Sequence, residues 1–254
     1  MASTMDWVVL YGGAGREASV LRMLEEGVKV VAIVIPSRRS HKLEQAVSKL
    51  KAQSCRLIEV EKTGLQDVLQ PLAGNALLSI GFPYLIPADL LTLFQPELNL
   101  HPTLLPRYRG PTSGAYILIN NEPESGSTLH HMTAQMDRGK IVVQSRIALT
   151  PFDTIRSLQR KVYGCEPQLV IDGLVALRSG AIPQPQDETQ ASEYPKKRTP
   201  ADSEIDPSLP LRDLINEIRA CDPEQFPAFF IYHGEKVCIK LWRPEKTIDE
   251  FDLI

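Results

Sequence analysis

The stretch WVVLYGGAGREASVLRMLEEGVKVVAIVIP, residues 7–36, contains the pattern that decides the fold. An apolar, β-branched run at 7–11 is followed by a glycine-rich turn and by apolar residues at helical spacing over 16–27. A second apolar run at 29–35 ends at Pro36. Two buried strands that flank a helix are typical of a right-handed β-α-β unit, in which the strands are parallel.

Strand and helix patterns continue to alternate after this unit. Further strands are predicted at 56–60, 75–80, 97–101, 127–132 and 140–149, and further helices at 41–53, 65–72, 87–94, 112–121 and 154–180. The last of these helices contains Gly164 and Pro167, where we expect a kink. This order predicts an α/β, Rossmann-like, doubly wound and mostly parallel sheet.

The composition changes after the long helix. Residues 181–210 are rich in Pro, Ser and charged residues, which predicts an extended connector. A helical pattern at 211–221 and two apolar runs around a glycine at 228–242 predict a small C-terminal helix plus β-hairpin appendage. The sequence therefore predicts a main domain at 1–180, a connector at 181–210 and a small subdomain at 211–254.

The bulk composition narrows the class of protein. The 254 residues are 43% hydrophobic and 23% charged, which is ordinary for a soluble domain. A net charge of −3 argues against a nucleic-acid or membrane partner. The four cysteines include no C-x-x-C pair, so we expect free thiols in a reducing compartment and no metal site. The N-terminal residues lack a signal-peptide pattern, and we expect a cytoplasmic protein.

The segment NLHPTLLPRYRG, residues 99–110, places Asn99 and His101 at the carboxyl end of a predicted strand. Residues i and i+2 of a strand point to one face, and ligands of open α/β sheets bind beyond these strand ends. A second segment, GSTLHHMTAQMDRG at 126–139, provides Asp137 as an acidic partner for an imidazole. An isolated N-x-H is also compatible with a turn-capping Asn beside a satisfied polar His.

The glycine-rich turn after the first strand has two interpretations. Gly13, Gly15 and Ala18 fit the dinucleotide pattern G-x-G-x-x-A, which would suggest an NADP-dependent reductase with Arg38 and Arg39 near a 2′-phosphate. No acidic residue ends the second strand, which argues against NAD. The other interpretation is a helix N-terminus that binds an anion, with Arg16 nearby. A purely structural tight turn also stays open.

The motifs N-x-H-P-T-L-L-P-x-Y-R-G and G-x-T-x-H-x-M-x-x-x-x-D-x-G, taken together, closely resemble those of the folate-dependent formyltransferases. This resemblance implies that Asn99, His101 and Asp137 are catalytic and that 10-formyltetrahydrofolate donates the formyl group to an amine. Asn99 and His101 would each offer an N–H to the oxyanion of a tetrahedral intermediate. Thr103 stands where the family more usually has Ser. No enzyme nucleophile and no metal are implied.

The same resemblance implies two binding regions. The folate would lie against 79–87 and the loop 133–138, with Phe82, Tyr84, Ile86 and Met136 as candidate contacts, although Phe82 and Ile86 are equally compatible with the core. The candidate acceptor-binding residues are Gly13, Gly15, Arg16, Arg109 and His130, the first three near an acceptor phosphate. His131 points to the other face and is expected to pack.

The C-terminal region favours one branch of this family. Glycinamide ribonucleotide formyltransferases usually end soon after the long helix, and methionyl-tRNA formyltransferases carry a longer, often basic barrel. EYPKKRTPADSEID, residues 193–206, resembles the connector of N-formyltransferases that act on nucleotide-linked amino sugars. We expect Arg198 and Asp206 to pin this connector and the hairpin to form a homodimer. A methionyl-tRNA formyltransferase-like enzyme and an NADP-dependent reductase remain the alternatives.

Overall fold

A seven-stranded sheet forms the centre of the molecule, in the order β3-β2-β1-β4-β5-β6-β7. The computed structural model describes residues 5–53, 55–111, 113–194 and 196–246, so Thr112, Pro195 and 247–254 of the predicted elements lie outside the described residues. The strands are β1 Trp7–Tyr11, β2 Val30–Pro36, β3 Leu57–Val60, β4 Ala76–Ile80, β5 Glu97–His101, β6 Glu124–His131 and β7 Ile141–Ala148. Strands β1 to β5 are parallel, and β6 and β7 are antiparallel to their neighbours.

Seven helices are described along the chain. They are α1 Glu17–Glu25, α2 His41–Lys51, α3 Leu65–Leu69, α4 Ala88–Leu91, α5 Ser113–Ile119, α6 Ile155–Arg178 and α7 Leu211–Arg219. The predicted helix at 65–72 is shorter than expected because Pro71 has no N–H to continue it, and residues 70–72 form a 3-10 turn instead. Helix α6 continues through both Gly164 and Pro167. The doubly wound, mostly parallel α/β fold is confirmed.

Both faces of the sheet are covered by apolar layers. On β1, Val9 and Tyr11 pack into the layer that contains α1, α2 and α6. Val8 and Leu10 pack into the opposite layer, which contains α3 and α4. This alternation is the period of two that a strand imposes on its side chains, and the unbroken apolar run of β1 reflects burial on both faces.

The C-terminal region folds onto the main domain. The buried guanidinium of Arg219 in α7 donates hydrogen bonds to the carbonyls of Leu118 and Asp153 and to Asn121 Oδ1. Strands β8 Ala228–Tyr232 and β9 Glu235–Ile239 follow as an antiparallel hairpin. The predicted helix-plus-hairpin appendage is therefore present and anchored to α5. None of the described helices is long and apolar enough to cross a membrane.

Candidate active site

The strand order reverses between β1 and β4, so the loops after these strands run to opposite sides of the sheet. Such a switch point leaves a crevice at the carboxyl ends of the strands in many α/β proteins. Here Gly12 and Gly13 both donate their N–H groups to the Ile80 carbonyl. A Cβ on Gly12 would lie 2.7 Å from the Gly81 oxygen. The backbones of the loops after β1 and β4 are therefore in direct contact at this point. The polar side chains of the site lie at the neighbouring strand, β5.

Asn99 and His130 face each other across the antiparallel β5–β6 pair. The Asn99 Nδ2 atom lies 3.2 Å from His130 Nε2. On its other side, the His130 ring donates from Nδ1 to its neighbour's carbonyl, His131 O, at 2.7 Å. This second bond places the ring proton on Nδ1, so Nε2 carries a lone pair that accepts from the Asn99 amide. His130 is thus held in one tautomer, with only 1% of its surface exposed.

His101 lies on the same face of β5, with each ring nitrogen near an acceptor. Nε2 is 3.1 Å from the Tyr108 carbonyl, and Nδ1 is 3.5 Å from Asp137 Oδ1. Both ring nitrogens of His101 therefore face oxygen atoms of the protein. The N–H that we expected to face an oxyanion is therefore directed at Tyr108 in this structure, and one of the two Asn99 N–H groups is directed at His130.

Asp137 completes the cluster from the loop after β6. Its Oδ1 atom lies 3.7 Å from His130 Nε2, and its Oδ2 atom accepts the Gly110 N–H at 3.0 Å. Burial by itself would raise the pKa of Asp137, but the two histidines, the Gly110 N–H and Arg109 together hold the pKa below its ordinary value. The carboxylate is therefore charged at neutral pH. The sequence-predicted trio and His130 come together in one cluster, in which Asn99 is half-buried and the other three side chains are buried.

The buried state of His130 gives a pH dependence of stability. Burial is the main reason that the pKa of His130 falls from 6.5 to about 4. Between these values the unfolded chain binds a proton that the folded protein does not, so acidification destabilises the fold. We expect the free energy of unfolding to fall by at most about 3 kcal/mol as pH drops from 6.5 to 4.

Urea denaturation at a series of pH values measures this effect. His130→Gln removes the titrating ring and should flatten the curve between pH 6.5 and 4 relative to wild type. A wild-type curve that is already flat over this range would contradict the assignment of a neutral, buried ring.

Arg16 and Arg109, both expected to contact the acceptor, are bound to groups of the protein itself. The Arg16 guanidinium donates to both oxygens of Glu166, which is fully buried, and to the Leu100 carbonyl. Arg109 is 2% exposed and donates to Gln186 and Glu188. These contacts use three of the five N–H groups of Arg16 and at least three of those of Arg109, which gives both side chains a structural role.

The glycine loop also has a packing role in this structure. The N–H groups of Gly12 and Gly13 are used by Ile80, and Gly15 adopts a φ of +84°, a conformation that glycine accepts without strain. Arg39, which the reductase interpretation placed near a 2′-phosphate, forms ion pairs with Glu44 and Glu59. Both observations weaken the interpretation of this loop as a dinucleotide site.

The candidate folate-binding residues divide into two groups. Phe82 and Tyr84 are half-buried and form an edge-to-face pair with ring centroids 5.3 Å apart. Met136 is 51% exposed, whereas Ile86 is buried in the core, as its alternative interpretation allowed. Phe82, Tyr84 and Met136 therefore retain surface that a flat ligand can cover. Among the described residues, no group of three or more His, Cys, Asp or Glu side chains is arranged to hold a metal ion.

Of the two residues expected to pin the connector, Arg198 contacts the main domain and Asp206 does not. Asp206 accepts only local bonds from Ser208, and Arg198 lies over the Tyr116 ring and donates to the Asp202 carbonyl. The main attachment is upstream, where Tyr194 stacks between Tyr108 and Tyr116 with ring centroids 5.4 and 4.1 Å away. Tyr194 belongs to the 193–206 segment whose sequence resembles the family connector, whereas no sequence motif indicated residues 184–192.

A comparison with known families bears on the same region of the chain. Residues 20–174, more than half of the chain, match the family model described as formyl transferase. The chain belongs to the formyl transferase family. The matched range contains Asn99, His101, His130 and Asp137, and the family resemblance inferred from the two motifs is confirmed.

Solved structures of other proteins share the fold of this formyltransferase. A 4-N formyltransferase from Francisella tularensis has a TM-score of 0.77 at 19% identity, covering 96% of this chain and 99% of that one. A sugar N-formyltransferase from Shewanella sp. FDAARGOS_354 has a TM-score of 0.78 at 19% identity, covering 96% and 100%. An N-formyltransferase from Helicobacter canadensis, in complex with folinic acid and dTDP-3-aminofucose, has a TM-score of 0.70 at 19% identity, covering 92% and 86%.

Proposed function

We propose that this formyltransferase moves a formyl group from 10-formyltetrahydrofolate to the primary amine of a nucleotide-linked amino sugar. The observation that supports this most directly is the cluster of Asn99, His101, His130 and Asp137, which combines the amide donor of Asn99, the neutral imidazole of His130 and the charged carboxylate of Asp137. Transfer of a formyl group to an amine requires an oxyanion to be stabilised and a proton to be moved, and these side chains provide both capacities.

The proposed reaction assigns a step to each group. The amine nitrogen attacks the formyl carbon, the new C–N bond forms, and the carbonyl electron pair moves to oxygen. The Asn99 N–H that is not bonded to His130 donates to this oxyanion, and His101, next to Asn99 on the same face of β5, is assigned as the second N–H donor. Asp137 accepts the amine proton, directly or through water. The intermediate then collapses, the bond from carbon to folate N10 breaks, and the proton passes to that nitrogen.

The ligand classes are supported by exposed surface and by the structural relatives. Phe82 and Tyr84 follow β4 at the carboxyl edge of the sheet, and Met136 is half exposed; such apolar and aromatic surface suits a flat pterin. The Helicobacter canadensis relative was solved with folinic acid and dTDP-3-aminofucose, and a further sugar 3N-formyltransferase was solved with dTDP and 5-N-formyl-THF. We assign the acceptor amine to the His130 side of the cluster, opposite the folate.

The two alternatives receive less support. A methionyl-tRNA acceptor is a polyanion, and a chain with net charge −3 offers little long-range attraction to it. An NADP-dependent reduction would need the amides of the glycine loop, and those of Gly12 and Gly13 are bonded to the Ile80 carbonyl.

Calorimetric binding of 5-formyltetrahydrofolate, with NADPH titrated in parallel, tests the donor. Folate binding without NADPH binding supports formyl transfer, and a screen of dTDP-linked amino sugars against methionyl-tRNA, read by mass increase of the product, then tests the acceptor. NADPH binding without folate binding would overturn the proposal. Formylation of methionyl-tRNA alone would overturn the sugar acceptor and leave the chemistry intact.

We also propose that two copies associate through the hairpin. Ile231, Tyr232 and Val237 are exposed on β8 and β9, and the outer edge of β9 invites pairing, whereas the β8 edge is bridged by Glu204 at Phe229. Sedimentation velocity of wild type should show a dimer at micromolar concentration, and Ile231→Lys should shift it toward monomer. A monomeric wild type would contradict this proposal.

A further inference from the structure

Gln186, in the connector after α6, uses every hydrogen-bonding position of its amide. Its Oε1 atom accepts from Arg109 Nε and Nη2 at 3.2 and 2.6 Å. Its Nε2 atom donates to the carbonyls of Asp137 and Gly139 at 2.7 and 2.8 Å. A primary amide has two N–H donors and two acceptor lone pairs, so the four bonds fix the orientation of this side chain completely.

The partners of Gln186 belong to the two loops that form the site. Arg109 directly precedes Gly110, whose N–H holds the Asp137 carboxylate. Asp137 itself adopts a φ of +57°, a left-handed conformation that costs a residue with a side chain about 1 kcal/mol or more. The bonds from Gln186 to the carbonyls on either side of Arg138 support the backbone at this strained point. Gln186 therefore links the loop that orients the carboxylate to the loop that carries it.

Neighbouring residues keep Gln186 in register with these loops. The backbone of Gln184 exchanges two hydrogen bonds of 2.8 Å with Ile141 at the start of β7. Glu188 accepts from both Arg109 and Arg138. Glu188 is exposed, so its ion pairs add little individually, whereas the amide bonds of Gln186 are half-buried and geometrically specific.

We propose that Gln186 is a positioning residue that acts through Asp137. In this inference, which rests on the proposed formyl transfer, the two donations from Nε2 hold the carboxylate between Gly110 N–H and His101. When they are lost, the 137–139 backbone relaxes and the carboxylate leaves the line between the two histidines. Phe82 and Tyr84 do not touch Gln186 and Met136 precedes the segment that relaxes, so we expect the loss to fall on kcat more than on donor binding.

Gln186→Glu is the discriminating variant. The carboxylate keeps the contact with Arg109 as an ion pair, but it cannot donate to the Asp137 and Gly139 carbonyls. Gln184→Glu places the same charge two residues away, where the side chain is exposed and bonds only to Ile182 O. We expect Gln186→Glu to lower kcat about 10- to 100-fold with KM for the folate within threefold of wild type. Gln184→Glu should stay within twofold in both constants.

A second measurement does not depend on activity. With aspartate carboxyls labelled by carbon-13, the titration of Asp137 is followed by NMR in wild type and in both variants. The neutral variant Gln186→Met is titrated as well, because the carboxylate of Gln186→Glu would itself raise the Asp137 pKa by repulsion. Gln186→Met removes the same two donors without adding charge and should still raise the Asp137 pKa, since the Gly110 N–H and the histidines no longer stabilise the carboxylate. An unchanged titration, or a kcat equal to that of Gln184→Glu, overturns the inference. An inactive wild type in which the titration still shifts would overturn the proposed function alone.

Discussion

Asp137→Asn is expected to lower kcat by two to four orders of magnitude, the range typical for loss of a proton-transfer group. The substitution removes the charge between His101 and His130 but keeps an oxygen that can accept the Gly110 N–H. The fold should therefore survive while the proton acceptor and the partner of His101 are lost. Steady-state kinetics with saturating folate and acceptor measures the effect.

Asp172→Asn provides the control for this experiment. Asp172 is exposed on α6 and accepts only from Gln168, so the same change of charge occurs far from the cluster. It should leave kcat within twofold of wild type. If Asp137→Asn retains more than a tenth of wild-type kcat while folded, Asp137 has no role in proton transfer and the proposed mechanism is wrong.

Arg16→Met is expected to have the largest effect on stability, about 3–5 kcal/mol, because it leaves the fully buried carboxylate of Glu166 without its partner. The substitution also affects hydrogen bonds outside the Arg16–Glu166 ion pair. Arg16 also donates to the Leu100 carbonyl, and Glu166 accepts from Ser127, which in turn donates to the His101 carbonyl. A domain of this size should lose about 6–20 °C in Tm, measured by thermal unfolding.

Two further variants show whether the unpaired charge is the cause. Arg22→Met removes an exposed ion pair with Glu26 on the same helix and should cost less than about 1 kcal/mol. The double variant Arg16→Met/Glu166→Met removes both buried charges together and should be more stable than Arg16→Met alone. If Arg16→Met and Arg22→Met lower the free energy of unfolding equally, the buried ion pair contributes no more to stability than the exposed one, and this prediction is wrong.

Much of the fold could be predicted because the apolar pattern of the chain is regular. Strands β1 and β5 have the predicted bounds, and β2 begins one residue later than expected and extends through Pro36. The convergence of Asn99, His101 and Asp137 was also accessible, since strand ends and i, i+2 spacing place side chains on one face. The pairing of Asn99 with His130 could not be predicted, because it depends on the register between β5 and β6.

The positively charged residues were the part that sequence could not resolve. Arg16 follows a glycine-rich turn and Arg109 follows a tyrosine in a motif, and each pattern is compatible with anion binding. Their partners, Glu166 and Glu188, are distant in the chain, so no local sequence pattern predicts these ion pairs. Gln186 lies in a Pro-rich segment whose composition predicts a linker. The alternation of Pro183 and Pro185 with glutamines, which favours extended backbone, was the one available signal.

Arg219 has a mechanical consequence for the hairpin. Its guanidinium joins α7 to the end of α5 and to the turn before α6. Moving α7 away from these elements would leave a buried charge without hydrogen-bond acceptors, which costs free energy. The junction between the C-terminal subdomain and the main domain is therefore rigid, and we expect no hinge motion at α7. A force applied at the tip of the β8–β9 hairpin would be transmitted to the seven-stranded sheet. A partner bound to the hairpin would therefore hold that sheet in one fixed orientation.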